Sequence, residues 1–235
     1  MRTVLAVQHQ EPAVPVAEVA GAIADLLHSS VSTIDYFGAE PVVAVLAELA
    51  RPDIVLGVVG RDASAGSQAW RVAAGAAKPV VVVPPAFSPG PAAPLSRVLV
   101  PLDGTEESAA AVADTMRLFA GAGLEVIVLH VFDKTTVPAF WDQAAHARRS
   151  WETEFRARFC APVDARIELR NGTPGEHVAR VAADEQVDLI ALGWSQRLDE
   201  GRARTVRSTV RESTVPVMLV PLASERESRC EPGRS

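Results

Sequence analysis

The sequence predicts an α/β protein: parallel sheets with helices on both faces, as a doubly wound unit present twice in tandem. Three observations carry this prediction. Short apolar runs alternate with segments of helical character, the pattern of a parallel sheet with crossover helices. The runs are continuous rather than alternating, as in strands covered on both faces. The plan of elements also recurs, with KPVVVVPP at 78–85 answered by VPVMLVPL at 215–222, each a β-rich run bounded by proline.

Each element has a counterpart. TVLAVQ (3–8) and RVLVPLD (97–103) open the two halves as strands, and Ala-rich helical sequence follows each. STIDYF and ARIELR read as matching strands. After them, FGAEPVVAVLAELARPD (37–53) and NGTPGEHVARVAADEQVD (171–188) share one plan: a turn glycine, a proline near a helix start, an apolar helical face, then Asp. DIVLGVV (53–59) and DLIALG (188–193) are the fourth strands of that plan. A polar, glycine-bearing loop follows each, then the helical segments SQAWRVAAGAAK and TVRSTVRESTV. The second half contains more: a strand LEVIVLHVF (124–132) and a helix within PAFWDQAAHARRSWETEFRARF (138–159). The first half has no counterpart between its first helix and STIDYF, so it is short by one strand–helix unit. The organisation expected is a shortened half at 1–85, a Pro/Ser/Gly-rich linker at 86–96, a complete domain at 97–222 and a polar, disordered tail at 223–235.

Composition narrows the function. With 48% hydrophobic and 22% charged residues the 235-residue chain suits a soluble globular protein. A formal net charge of −6 argues against broad attraction to nucleic acid or anionic membrane. No run approaches the ~20 apolar residues of a membrane helix, and the N-terminal apolar run is too short for a signal peptide. Cys160 and Cys230 form neither a disulfide framework nor a metal-ligand pair. His9, His28, His146 and His177 show no ligand spacing, and His130, in VLHVF, reads as a packed core residue. A cytoplasmic protein with no metal site is expected.

The stretch RVLVPLDGTEESAAAVADTMRLFA, followed by VIVLHVF, NGTP, DLIALGWS and PVMLVP, resembles the universal stress protein family. The resemblance covers nearly all of 97–222, and the first half looks like a shortened second copy. It implies an adenine-nucleotide-binding-like fold and three ligand contacts: an acidic residue ending the first strand, a Gly-x-x-Gly after the fourth, and a Gly-Ser or Gly-Thr opening the last helix. Glycine lets the backbone approach phosphate, and a helix N-terminus presents unpaired N–H groups and positive dipole.

Carried over residue by residue, the motif is incomplete in both halves. In the second, Asp103 ends the first strand and Gly193 the fourth, but Gln196 stands at the second glycine in GWSQ, with Ser195 before it. The Gly-Ser position falls near Ala203-Arg204, so Arg202, Arg204 and Thr205 become the candidate phosphate contacts, Thr205 as a helix cap. Asp103 also reads as a helix N-cap, since DGTEES is a good helix entry. In the first half Gly57-x-x-Gly60 and Gly66-Ser67 are present, but Gln8 occupies the acidic position. Trp194 sits beside Gly193 and is expected at the mouth of the site, stacked on a base or closing an empty cleft. Trp141 and Trp151, ten residues apart, do not share one helix face squarely.

The resemblance implies ATP or AMP as ligand, with no metal beyond magnesium carried by the nucleotide. Three functions are weighed: a regulatory module of the stress response binding adenine nucleotide weakly, a non-nucleotide scaffold acting through an unidentified protein partner, and a weak ATPase. No Ser–His–Asp or Cys–His arrangement and no Walker-type lysine supports the last. The resemblance further implies pairing through the last strand, either as a homodimer or between the two halves of one chain.

Overall fold

The computed structural model describes residues 2–8, 14–35, 41–61, 68–85, 87, 95–133, 136, 145–197 and 202–222. The tail at 223–235, most of the 86–96 linker, Trp141 and the candidate pair Gly66 and Ser67 lie outside the described residues.

The first half runs β1 (Thr3–Gln8), α1 (Val16–Leu26), β2 (Ser30–Asp35), α2 (Pro41–Leu49), β3 (Ile54–Gly60), α3 (Gln68–Gly75) and β4 (Val80–Val83). The second runs β5 (Arg97–Pro101), α4 (Glu106–Gly121), β6 (Glu125–Phe132), α5 (Ala145–Phe159), β7 (Arg166–Asn171), α6 (Pro174–Asp184), β8 (Leu189–Trp194), α7 (Arg202–Glu212) and β9 (Val217–Pro221). The described strands form a single nine-stranded sheet in the order β2-β1-β3-β4-β9-β8-β5-β6-β7. Pairing is parallel within each half. At the centre β4 and β9 run antiparallel, with Val81 opposite Met218. The proline-bounded strands of the two halves therefore pair with each other inside one chain.

Strand alternation sends successive residues to opposite layers. Val4 and Ala6 of β1 join a core with α1, α4 and α5, while Leu5 and Val7 join one with α2, α3, α6 and α7. Both cores cross the β4–β9 seam: Val81 and Met218 share one, Val82 and Leu219 the other. All four residues of β4 are buried. Full burial of each such side chain contributes about 1.5–3 kcal/mol, which is why the seam holds with three paired residues in each strand.

The outer strands look different. β2 alternates half-buried and exposed positions. On β7, Arg166 reaches Glu125 at 3.0 Å, Glu168 at 2.6 Å and Glu185 at 2.5 Å. Charges along an edge strand discourage further pairing.

The shortening of the first half differs from the sequence expectation. The sequence pattern pairs STIDYF with ARIELR, which contributes β7. In the sheet, β2 lies directly beside β1, the place β6 holds beside β5. The absent unit is therefore the outermost one, at the sheet margin. An edge strand can be lost without opening the core, whereas loss of an inner strand would leave a ladder of unpaired backbone groups.

Candidate functional site

A cavity of about 540 Å³ opens at the carboxyl ends of β5, β6 and β8. Ligands bind at this place in open α/β sheets, where strand order reverses. Here β6 lies on one side of β5 and β8 on the other.

The β5–α4 turn forms one wall. Asp103 Oδ1 accepts from Thr105 N at 3.0 Å, Thr105 Oγ1 at 2.7 Å and Ser108 Oγ at 2.5 Å. Thr105, not Asp103, is the N-cap of α4, and its side chain accepts from Ser108 N. The N-cap reading of Asp103 is thus corrected by two positions: its carboxylate organises the turn that precedes the cap. Asp103 is exposed and lines the cavity. Gly104 sits at φ +80°, where a Cβ would meet His130 Cε1 at 3.3 Å.

His130 holds this turn from β6. It is 8% exposed, and its Nδ1–H donates to the Leu102 carbonyl at 2.9 Å. Nε2 therefore carries the lone pair. Burial lowers the pKa of the imidazole, against the opposing pull of the Leu102 bond and of Asp103, which favours the neutral ring. His130 is packed and bonded as expected of a core residue, and it also lines the cavity.

Around His130 lies an aromatic wall that the sequence reading missed. Phe132, Phe155 and Trp151 stand 4.6, 5.0 and 5.3 Å from its ring. Trp151 stacks on Phe155 at 4.7 Å and 24°, and Phe155 contacts Phe159 at 4.7 Å. All of these rings line the cavity. The signal was present: Trp151, Phe155 and Phe159 recur every four residues, which places them along one helix face. Arg158, at the rim, is paired with Glu106 at 2.8 Å.

On the opposite side are Gly193, Thr205 and Val206. A Cβ on Gly193 would come within 3.2 Å of Ala111 Cβ and 3.4 Å of the Ser108 carbonyl, so the glycine permits close packing of α4 on β8. Thr205 is the fourth residue of α7. It lies in the first turn rather than at the cap, which corrects the capping role expected of it. Ser195 and Arg204 are exposed and lie apart from the described lining; Arg202 opens α7.

Trp194, expected at the mouth of the site, and Gln196, at the second glycine position, face the other half instead. Trp194 is 3% exposed and packs on Trp70 of α3 with ring centroids 5.8 Å apart. It neither stacks over the cavity nor closes it. Strand parity explains this, since Gly193 faces α4 and its neighbour must face the other layer. Gln196 adopts φ +59°, a conformation glycine takes without strain, and its Nε2 donates to the carbonyls of Ala73 and Ala76. It caps the end of α3. Arg61, which follows β3, does the same in reverse: Nη1 donates to the carbonyls of Val210, of Arg211 at 2.8 Å and of Ser213 at 3.4 Å, capping α7.

Among the described residues no group of three His, Cys, Asp or Glu side chains is placed to hold a metal. Burial pushes the Cys160 thiol up to about 11, so it is a poor nucleophile at neutral pH. No described helix is long and apolar enough to cross a membrane.

The model of the "Universal stress protein family" matches residues 94–221. No curated protein matches the chain. Among solved structures, the chain is similar to a putative universal stress protein from Pseudomonas aeruginosa UCBPP-PA14, with TM-score 0.64, 14% identity and 94% of each chain covered. It is also similar to a functionally unknown protein from Pseudomonas aeruginosa PAO1, with TM-score 0.63, 14% identity and coverage of 94% and 93%. A universal stress protein from Archaeoglobus fulgidus DSM 4304 aligns with TM-score 0.58 at 16% identity, over 94% of this chain and 86% of its own. At these identities the likeness shows the fold.

Proposed function

Because the chain belongs to the universal stress protein family, we propose that it is a regulatory module of the stress response in the cytoplasm that binds an adenine nucleotide, ATP or AMP, weakly and without catalysis. The observation that carries this reading is the cavity at the carboxyl ends of β5, β6 and β8, where Asp103, Gly193 and Thr205 come together. The first two occupy the positions that the family resemblance assigns to ligand contacts. In this reading Ser195, Arg202 and Arg204 stand at its outer edge, and any magnesium arrives with the nucleotide. The site rests mainly on the second half; in the first half Gly66 and Ser67 remain the candidate phosphate contacts, and Gln8 stands at the acidic position.

Isothermal titration with ATP, AMP and a cyclic nucleotide tests it. Saturable heat at millimolar ligand, lost or weakened in Asp103→Ala, is the expected result. No heat with any of the three would sink it.

A second reading, a scaffold acting by protein association, draws on the diversion of Gln196 and Arg61 to helix ends across the seam. With β4 and β9 paired internally, a second copy has to dock through a different surface. Sedimentation of the full chain tests this; a strictly monomeric protein at all concentrations would count against it.

A further inference from the structure

We propose that the first half of the chain positions the ligand site of the second, and that ligand binding tightens α3 in return. Arg61 and Gln196 are the positioning residues. Between them they fix α7 and the exit of β8, the elements that carry Thr205, Val206 and Gly193 to the cavity. The proposal rests on the reading of that cavity as the ligand site.

The exit of β8 is held from across the seam. Gly193 lines the cavity, and its neighbour Trp194 packs on Trp70 of α3. Beyond it, the Gln196 side-chain amide donates to the carbonyls of Ala73 and Ala76. The Gln196 backbone stands at φ +59°, a conformation that a residue other than glycine keeps where its surroundings hold it. A ring contact and hydrogen bonds thus pin the segment that follows Gly193 to the first half.

α7 is held at its other end. Thr205 and Val206 line the cavity from the N-terminal part of this helix. Arg61 Nη1 donates to the carbonyls of Val210, Arg211 and Ser213 at the C-terminal end. Arg61 is itself anchored, because its backbone N–H donates at 2.7 Å to the carbonyl of Val83, the last residue of β4. About 9 Å of helix separates Thr205 from Arg211, and a helix this short moves as a rod. Releasing its C-terminal end lets Thr205 shift against Gly193. Val206, Trp194 and Val72 share one buried core, so packing is continuous from α7 through β8 to α3. A binding site keeps its geometry through supporting contacts of this kind.

Thermodynamic linkage makes the effect reciprocal. A ligand that fixes Gly193 and Thr205 favours the Gln196 and Arg61 contacts. The last turn of α3, where the Ala76 N–H donates to the Val72 carbonyl at 3.0 Å, then opens less often.

The experiment measures ATP binding by calorimetry on the full chain, with AMP as the probe if ATP gives no heat. Arg61→Ala and Gln196→Ala are each expected to weaken binding by about 5-fold. Arg61→Lys, which keeps a donor, should recover part of the loss. Ile23→Val trims a fully buried side chain of α1 in the other layer of the first half and should leave affinity unchanged. Circular dichroism melts check that each variant is folded at the assay temperature. In the wild type, saturating nucleotide should also slow hydrogen exchange of the Ala76 amide by about 5-fold, and this readout decides the matter if the alanine variants fail to fold. Unchanged affinity in folded Arg61→Ala and Gln196→Ala, an equal loss in Ile23→Val, or Ala76 exchange unmoved by bound nucleotide overturns the inference and leaves the cavity standing as the site. A wild-type protein that binds neither nucleotide overturns both.

Discussion

The Gln196 side-chain amide donates to the Ala76 carbonyl at 2.5 Å, so the loop that leaves the fourth strand of one half caps the last turn of α3 in the other. Arg61 returns the contact to the end of α7 through the Arg211 carbonyl. Helix C-termini carry unsatisfied carbonyls and partial negative charge. A cation and an amide donor reaching across the β4–β9 seam satisfy both ends. The loop position that resembles a phosphate contact has become a contact between halves.

Removing these caps should loosen the seam. Gln196→Ala is expected to cost about 1–2 kcal/mol in urea unfolding, since carbonyls are left with water or nothing. Gln196→Gly should cost less than Gln196→Ala, because glycine relieves the φ +59° backbone by about 1 kcal/mol. An alanine variant at least as stable as the glycine variant contradicts this account.

Arg61→Ala should destabilise by about 1–3 kcal/mol, and should speed amide hydrogen exchange at the end of α7 more than at the end of α4. Burial lowers the pKa of this guanidinium, but its charge persists at any working pH. Uniform exchange along all helices would show that the cap is not local.

Asp103 joins turn geometry to the site. Asp103→Ala deletes the acceptor of Thr105 N, Thr105 Oγ1 and Ser108 Oγ and should cost about 1–2 kcal/mol. Asp103→Asn, which keeps an oxygen in place, should recover most of the stability. Equal losses in the two variants would mean that charge, rather than hydrogen bonding, holds the turn.

His130 gives stability a pH dependence with a defined sign. Its folded-state pKa lies below the ordinary 6.5, chiefly through burial. As pH falls through that value the unfolded chain takes up a proton before the folded one. Stability is fully present above about 6.5 and declines as pH falls toward the folded pKa. The melting temperature should drop between pH 7.5 and 5.5 more in the wild type than in His130→Asn. Parallel drops would assign the dependence to other groups.

Gly193 is held by space alone. Gly193→Val forces its side chain against Ala111 and the Ser108 carbonyl, at 3.2 and 3.4 Å from the first added carbon, and should cost about 1–3 kcal/mol. A stable valine variant with α4 unmoved would refute this packing role.

Much of the fold was legible because it rests on local rules. Continuous apolar runs, prolines bounding β4 and β9, and the acid-rich entry of α4 each declare themselves within a few residues. Asp103, Gly193 and Thr205 were found through a motif and do line the cavity. What was misread came from proximity in sequence. Trp194 follows Gly193, but a strand turns neighbours to opposite faces, and Trp194 packs on Trp70. The aromatic wall was readable from the four-residue spacing of Trp151, Phe155 and Phe159, but that spacing does not say that the face meets His130 of β6.

The amino-acid sequence alone determined the α/β class, the repeated plan and the family resemblance of the second half. These follow from hydrophobic period, turn residues and helix caps, which act over short stretches of chain. Only the tertiary structure decided that β2 takes the inner place beside β1, that β4 and β9 join the halves into one sheet, and that Gln196 and Arg61 reach across it. Those outcomes depend on which edge is left to pair and which helix end lies within reach of a side chain more than a hundred residues away in sequence. Such distances are set by packing the whole sheet, and no local pattern encodes them.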